Sequence, residues 1–180
     1  MNKFRIFKKF KGVYFREATK KDALIVLKWR NLFRVRSEMK NSNLINKKDH
    51  IDWFNSLNKK KEIILIFGYH QKDAGVISIK FINEKKKQAD IGFYVGLTSY
   101  LGSINNILAL ILAYDMCFSK FKIKTIKTLI NKKNIKALYL NKSLGFIKKK
   151  NIDQYFDEFL LKKCKFEESY LKKMFLLNSI

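Results

Sequence analysis

"NKKNIKALYLNKSLGF", residues 131–146, is the stretch on which the reading of the fold turns. It reads as a helix closed by Gly145, the residue type that most easily takes the left-handed turn beyond a helix end. Within it Asn134, Ala137, Tyr139, Leu144, Gly145 and Phe146 sit at a spacing that places Asn134 and Tyr139 near one end of that helix. Before it, "KIKTIKTLI" (122–130) alternates as a strand. After it, "FIKKKNI" (146–152) and "FDEFLLKKC" (156–164) read as further strands, and "FEESYLKKMFLL" (166–177) as an added helix.

Upstream, "GVYFREAT" (12–19) alternates as a short strand ending at Thr19, a capping residue for the helix "KKDALIVLKWRNLF" (20–33). That helix is expected to turn Leu24, Leu27 and Val26 inward and to leave Arg30 near its C-terminal end. A second helix follows Asn46, "KKDHIDWFNSLN" (47–58), with Ile51, Phe54 and Leu57 as its buried stripe and His50 and Trp53 one turn apart on an adjacent face. "EIILIFGY" (62–69) and "AGVISIKFI" (74–82) form a hairpin about the turn "HQKDAG", and "QADIGFYVGL" (88–97) is a third strand. The loop "TSYLGSINN" (98–106) then leads into the helix "NNILALILAYDMCFSK" (105–120). Early helices, an antiparallel meander and strand–helix–strand–helix–strand make a mixed α/β sheet.

At 180 residues the chain is read as one domain, 1–180, able to close a core without metal or disulfide. Its net charge is +24, from 39 basic and 15 acidic side chains. Such a balance suits polyanions such as nucleic acid, anionic lipid or phosphorylated small molecules. The same chain is crowded with isoleucine, asparagine and phenylalanine and contains no proline. That composition also inflates lysine, which weakens the nucleic-acid reading. Cys117 and Cys164 lack a paired spacing for zinc or redox work and are read as idle thiols. No stretch is long and apolar enough for a signal peptide or a membrane span, so a cytoplasmic domain is expected.

The arginines are few and clustered. Arg30, Arg34 and Arg36 lie in "LKWRNLFRVRSEM" (27–39), and only Arg5 and Arg16 occur elsewhere. A guanidinium is a planar fork that grips phosphate or carboxylate with two parallel hydrogen bonds, whereas an ammonium is a compact point charge. The cluster therefore suggests geometry rather than charge alone, against the simpler view of solvated side chains on a helix face. The turn before the long helix carries Gly102, which lets a backbone approach closely. Ser103, Ile104, Asn105 and Asn106 then offer the first N–H groups at a helix end suited to pyrophosphate. A glycine there also serves as plain punctuation.

The run N..A.Y....LGF at 134–146 resembles the closing motif of the GNAT superfamily of acetyl-CoA-dependent N-acetyltransferases, and the element order matches that family from about Val13 to Asn151. The resemblance implies a mostly antiparallel central sheet, splayed at the cofactor strand and flanked by helices, with a C-terminal extra strand and helix. It makes "IGFYVG" (91–96) the splayed strand, with Phe93, Tyr94 and Val95 holding the pantetheine arm. It makes Leu101, Gly102, Ser103 and Ile104 the pyrophosphate loop, and it puts Asn134 beside acetyl-CoA. The family's loop usually reads Gln or Arg, two residues, Gly, one residue, Gly or Ala. Here Ser99–Ile104 keeps only the central glycine. "VLKWRN" (26–31) and "INKKDHIDWFNSL" (45–57) look like the sugar-nucleotide branch, similar to the N-acetyltransferases of pseudaminic acid synthesis. Those enzymes acetylate the 4-amino group of a UDP-linked dideoxy sugar. Ribosomal-protein N-terminal acetyltransferases share the "W.RN" layout.

On this resemblance Tyr139 is the general acid and His50, with an ordinary pKa of about 6.5, the general base. Asp90 and Glu84 stand as reserve bases, and His70 as incidental. Tyr94 or Val95 offers an oxyanion N–H. Arg30, Asn31, Trp53 and Arg34 (or Arg36) contact the substrate, although Trp53 and Trp29 also suit packing. The expected partner is a small nucleotide sugar, with no nucleic acid, no membrane, no metal and a homodimer as the candidate assembly. The rivals are a peptide Nα-acetyltransferase and a basic RNA-binding module. The strands carry apolar residues on both faces, which suits a covered core better than an RNA platform.

Overall fold

The computed structural model describes residues 6–83 and 85–177; Glu84 and Arg5 lie outside the described residues. The chain divides into two compact units, described separately: Met1–Ser37, Asn41–Lys80 and Gly92–Leu110, and then Glu38–Lys40, Phe81–Ile91 and Ile111–Ile180.

In the first unit β1 (Ile6–Phe10), which the sequence reading did not anticipate, pairs antiparallel with β2 (Val13–Glu17). The turn between them is Lys11–Gly12, both at positive φ, 46° and 80°. Two successive left-handed residues give the two-residue hairpin whose twist matches that of the flanking strands. β3 (Glu62–Tyr69) pairs antiparallel with β2 and with β4 (Lys72–Asn83). Here the turn is only His70–Gln71, again left-handed at 46° and 66°, so the expected six-residue turn is shorter because Lys72 and Asp73 join the ladder. Leu65, Ile66, Ile77 and Ile79 are all but inaccessible, as expected of a sheet covered on both faces. β5 (Gln88–Val95) contributes Gly92–Val95 to this unit.

Helix α1 (Ala23–Arg30) buries Ala23, Val26 and Trp29 against Ile64, Ile66 and Val76, with Phe54 of α3 (Lys47–Ser56) closing the cluster. The expected inward Leu24 is 52% exposed and Leu27 half-buried. Trp29 sets the phase: its indole lies flat on the backbone of Gly96, where any Cβ would collide with it, so the helix turns the tryptophan inward and Leu24 outward. In α3 the buried stripe runs through His50 and Phe54, with Ile51 and Leu57 at its margins.

A buried ion cluster locks the start of α1. Arg16 donates to both oxygens of Asp22 (2.9 and 2.8 Å) and also grips Asp73 of β4, which takes the Tyr14 hydroxyl at 2.7 Å. Asp22 in turn accepts from the amide and hydroxyl of Thr19, so the expected cap works through Asp22 reaching back to it.

In the second unit Gln88, Ala89 and Asp90 of β5 pair in parallel with Thr125, Ile126 and Lys127 of β6 (Thr125–Asn131). The pairing stops there, although β5 runs on to Val95 and β6 to Asn131. β8 (Phe156–Lys162) pairs antiparallel with all of β6, and β7 (Ile147–Asn151) with β8. All five residues of the terminal strand β7 are exposed, three of them consecutive lysines, which blunt a free edge against strand addition. Helix α4 (Ile104–Ser119) buries Ile111–Tyr114 and Met116–Phe118 here. Helix α5 (Ile135–Ser143) closes as expected: Gly145 is left-handed at φ 91°, its N–H donates to Lys142 O and that of Phe146 to Asn141 O. The strand expected to reach Cys164 ends at Lys162, because Phe166 of α6 (Lys163–Glu168) must turn in against Tyr114 and Phe118. The short α7 (Tyr170–Lys172) and a π turn at Lys173–Leu177 follow. Cys117 is buried and Cys164 exposed, both as free thiols.

Burial alone would raise the Asp22 pKa, but Arg16 and Thr19 more than reverse this and hold it below the ordinary aspartate range. A carboxylate depressed in the folded state stabilises above its unfolded pKa, and that contribution is lost as pH falls below about 4. Asp22→Asn should therefore cost about 1–3 kcal/mol at neutral pH, since Arg16 loses one buried partner and keeps Asp73. It should also flatten the acid limb of stability, both read from urea unfolding across pH 3–7.

Candidate functional site

The first unit carries Arg30, Asn31, Arg34, His50, Trp53, Phe93, Tyr94, Val95, Leu101, Gly102, Ser103 and Ile104; the second carries Asn134 and Tyr139. The arginine cluster does two distinct things. Arg30 Nη2 donates to Asn41 O and Arg36 Nη1 to Ser42 O, both at 2.8 Å, while Arg36 lies over the ring of exposed Phe33. Asn31 completes this grip by a reciprocal pair, its Nδ2 on Ile45 O (2.8 Å) and its Oδ1 on Ile45 N (3.0 Å). Three side chains thus shape the loop 41–45 by backbone contacts. Arg34, on the one-turn helix α2 (Phe33–Arg36), faces elsewhere: Nη1 takes Val95 O at 2.7 Å and Nη2 takes Gly96 O at 2.6 Å. Two of its five N–H donors are thus spent on the backbone at the end of β5.

Arg30 keeps a donor in reserve. Its Nη1 is buried and, among the described residues, meets no acceptor. Burial lowers the guanidinium pKa, the nearby Tyr94 opposes this, and the group stays charged. Tyr94 is held neutral by burial. Among the described residues none of Arg30, Arg34 and Arg36 is ion-paired with a carboxylate.

On β5, Phe93 stacks its ring on Phe67 (centroids 4.9 Å apart). The Tyr94 carbonyl lies beside Gly75 of β4, where an added Cβ would collide with it, and the Val95 carbonyl accepts from Arg34. The strand ends irregularly, with Gly96 N and Leu97 N both donating to Ala74 O at 2.7 and 3.1 Å.

The loop beyond it is a 3₁₀ turn, Thr98–Tyr100, followed by exposed Leu101 and by Gly102 at φ 70° with open space around it. Of the expected donors, Ser103 N is engaged by Tyr100 O and Asn106 N by Ser103 O. Ile104 and Asn105 open the helix, where N–H groups lack an intrahelical acceptor. The Ser103 hydroxyl and Asn106 Oδ1 are buried without a partner among the described residues, while Asn106 Nδ2 donates to Tyr100 O.

His50 is 3% exposed, inside the α1–α3 contact rather than on an adjacent face, with Trp53 and Phe54 rings 5.2 and 5.8 Å away. Burial favours its neutral form against a backbone hydrogen bond with Ala23, and its Nε2 has no partner among the described residues. A base must meet substrate or solvent, and in this structure the ring is buried from solvent. Trp53 packs on it and stays 39% exposed. His70 occupies the β3–β4 turn.

In the second unit Asn134 is the cap of α5, its Oδ1 accepting from Ala137 N at 3.0 Å. Tyr139 lies five residues on, mid-helix rather than at an end, and is 70% exposed. Asp90 belongs to the parallel ladder with Lys127 and has further interactions. Among the described residues no group of His, Cys, Asp and Glu is arranged to hold a metal, and no helix is long and apolar enough to cross a membrane. Sequence reading missed the Trp29–Gly96 contact and the Arg16 cluster. The tryptophan one residue before Arg30 was the available signal for the first; the second joins residues 57 apart and left none.

The His50 ring should titrate below 6.5 when followed by NMR, and because its folded pKa is depressed, the folded state should lose stability on acidification through that range.

No family model and no curated protein sequence matches the chain. Solved structures do. A spermidine N-acetyltransferase from Vibrio cholerae, in complex with CoA and spermine, superimposes with a TM-score of 0.77 at 15% identity, over 88% of this chain and 100% of that one. FdhC, a nucleotide-linked sugar GNAT, gives 0.74 at 18% identity over 92% and 95%. AAC(6')-Ib, in complex with ribostamycin and coenzyme A, gives 0.76 at 14% identity over 89% and 98%. The mostly antiparallel strands with one parallel pair, flanked by helices, are those of the GNAT acetyltransferases, and this chain has their fold.

Proposed function

We propose that the chain transfers acetyl from acetyl-CoA to the amine of a nucleotide-linked amino sugar, with the 4-amino group of a UDP-linked dideoxy sugar of the pseudaminic acid type as its acceptor. The observation that carries the choice of acceptor is Arg30: a half-buried guanidinium with a free Nη1 and no carboxylate partner among the described residues. A buried cation without a counter-charge is costly, and an anionic ligand relieves that cost. Four acidic side chains of the same unit are engaged elsewhere, while Asp52 is exposed. Asp22 and Asp73 hold Arg16, Glu17 holds Lys59, and Asp49 takes the Asn46 amide. A polycation such as spermine, bound by the Vibrio cholerae neighbour, needs free carboxylates; a diphosphate needs what Arg30 offers.

For the acyl donor, Gly102, the amides of Ile104 and Asn105, and the Ser103 hydroxyl fit a pyrophosphate: open space, free donors and the positive end of a sixteen-residue helix. Asn134 has its amide nitrogen left for the carrier, since its oxygen caps α5. In the reaction the neutral amine forms the N–C bond to the thioester carbon while the Val95 N–H donates to the oxyanion; the nitrogen then gives its surplus proton to water, the carbonyl re-forms as the C–S bond breaks, and the thiolate takes a proton. Tyr139 supplies that proton; its exposed phenol supports the role. Positioning supplies most of the acceleration, about 7–11 kcal/mol.

Free-thiol release should be fastest with UDP-linked amino sugars, in a panel that also holds polyamines and N-terminal peptides. Faster turnover of a peptide or of spermine would replace the sugar reading. Arg30→Lys should raise KM for the sugar nucleotide about tenfold, worth ~1.4 kcal/mol, and leave that for acetyl-CoA near wild type. Tyr139→Phe should lower kcat about 10²-fold with acetyl-CoA affinity retained.

A further inference from the structure

We infer that Arg34 is a positioning residue: by gripping the Val95 and Gly96 carbonyls together, it sets the direction of the Val95 amide and thereby turnover rather than substrate affinity. The kinetic part rests on the acetyltransferase reading; the anchoring part does not.

Successive carbonyls of a regular strand leave by opposite edges. Those of Val95 and Gly96 meet one guanidinium, at 2.7 and 2.6 Å, so the chain has left strand geometry at that step. Opposite them, Ala74 O accepts from both Gly96 N and Leu97 N. Trp29 closes a third side, lying so near Gly96 that no side chain fits there. The peptide at Val95–Gly96 is therefore held by a fork, an acceptor and an aromatic plate. The held peptide adjoins, through the Val95 Cα, the planar peptide that carries the Val95 N–H, so fixing the Val95 carbonyl narrows the directions open to that N–H. Arg34 has no ion pair among the described residues, which leaves its charge directed at these two oxygens. It also sits between Arg30 and Arg36, which hold the loop 41–45, so one short segment shapes that loop and pins the end of β5. A lysine reaches one carbonyl at a time and does not reproduce the planar two-point hold.

The test uses Arg34→Lys and Arg34→Ala in the full chain, both first checked for cooperative unfolding. Amide exchange at Gly96 and Leu97, followed by NMR, should speed up at least about tenfold in both, and kcat should fall about 10²-fold with both KM values within about twofold of wild type. Added guanidinium should restore part of the kcat of Arg34→Ala, which a general loss of folding would not allow. Unchanged exchange at Gly96 and Leu97 would overturn the anchoring, whatever the kinetics. Faster exchange with unchanged kcat, or a loss confined to acceptor KM, would overturn the positioning role. If the wild-type chain acetylates no amine, the acetyltransferase reading and the kinetic part fall together, and the exchange rates still decide the anchoring.

Discussion

A planar guanidinium can satisfy several oxygens at fixed angles, and this protein uses that property wherever backbone must be held in a shape that regular ladders do not provide. Arg16 joins Asp22 and Asp73, 57 residues apart from it in the second case, and so ties β2, the start of α1 and β4. Arg30 and Arg36 hold carbonyls of the loop 41–45, and Arg34 holds the end of β5. Each of these backbone groups lies outside a ladder, where an unmet carbonyl costs about 1–3 kcal/mol once buried. Without such forks the loop and the strand end would have to be met by water, and their directions would be free.

The Arg16 cluster also shows how charge sign is managed. One buried cation faces two carboxylates, and the Tyr14 hydroxyl donates to the surplus negative group, so its own ionisation is pushed up first by burial and then by Asp73. Near β5 the balance is opposite: cations without carboxylates and a neutral tyrosine. The two regions of one unit are thus electrostatically distinct. The first is closed on itself, and the second keeps an unmet donor on Arg30.

What sequence made legible follows from how local each determinant is. The end of α5 was readable because Gly145, Phe146 and the carbonyls they meet lie within six residues, and a glycine at φ 91° announces itself. The strands of the meander were readable from their alternation and length. The phase of α1 was not, since three leucines and isoleucines compete with one tryptophan, and only the backbone of Gly96, 67 residues away, decides which face turns in. The N-terminal strand was hidden for a similar reason: a Lys–Gly pair was not recognised as a two-residue hairpin turn. At the candidate site, residue types were legible and their assignments less so. Arg30 and Asn31 stood out as a pair, yet nothing local could tell that Asn31 is consumed by Ile45, that Arg34 faces Val95, or that His50 is turned under its helix.

The lysines complete the contrast. A net charge of +24 invites a polyanion reading, but the terminal strand β7 places Lys148, Lys149 and Lys150 together along an exposed edge, the arrangement that keeps a free strand from pairing with another chain. A solvated ammonium gains little from any one partner, and exposed pairs such as Lys165–Glu168 add little to stability. Charge spread in this way raises solubility and long-range attraction without choosing a ligand. Selection needs a donor with a fixed direction and no partner of its own. Among the described residues Arg30 Nη1 and Arg36 Nε are such donors, each on a guanidinium oriented by one engaged nitrogen, through Asn41 O and Ser42 O.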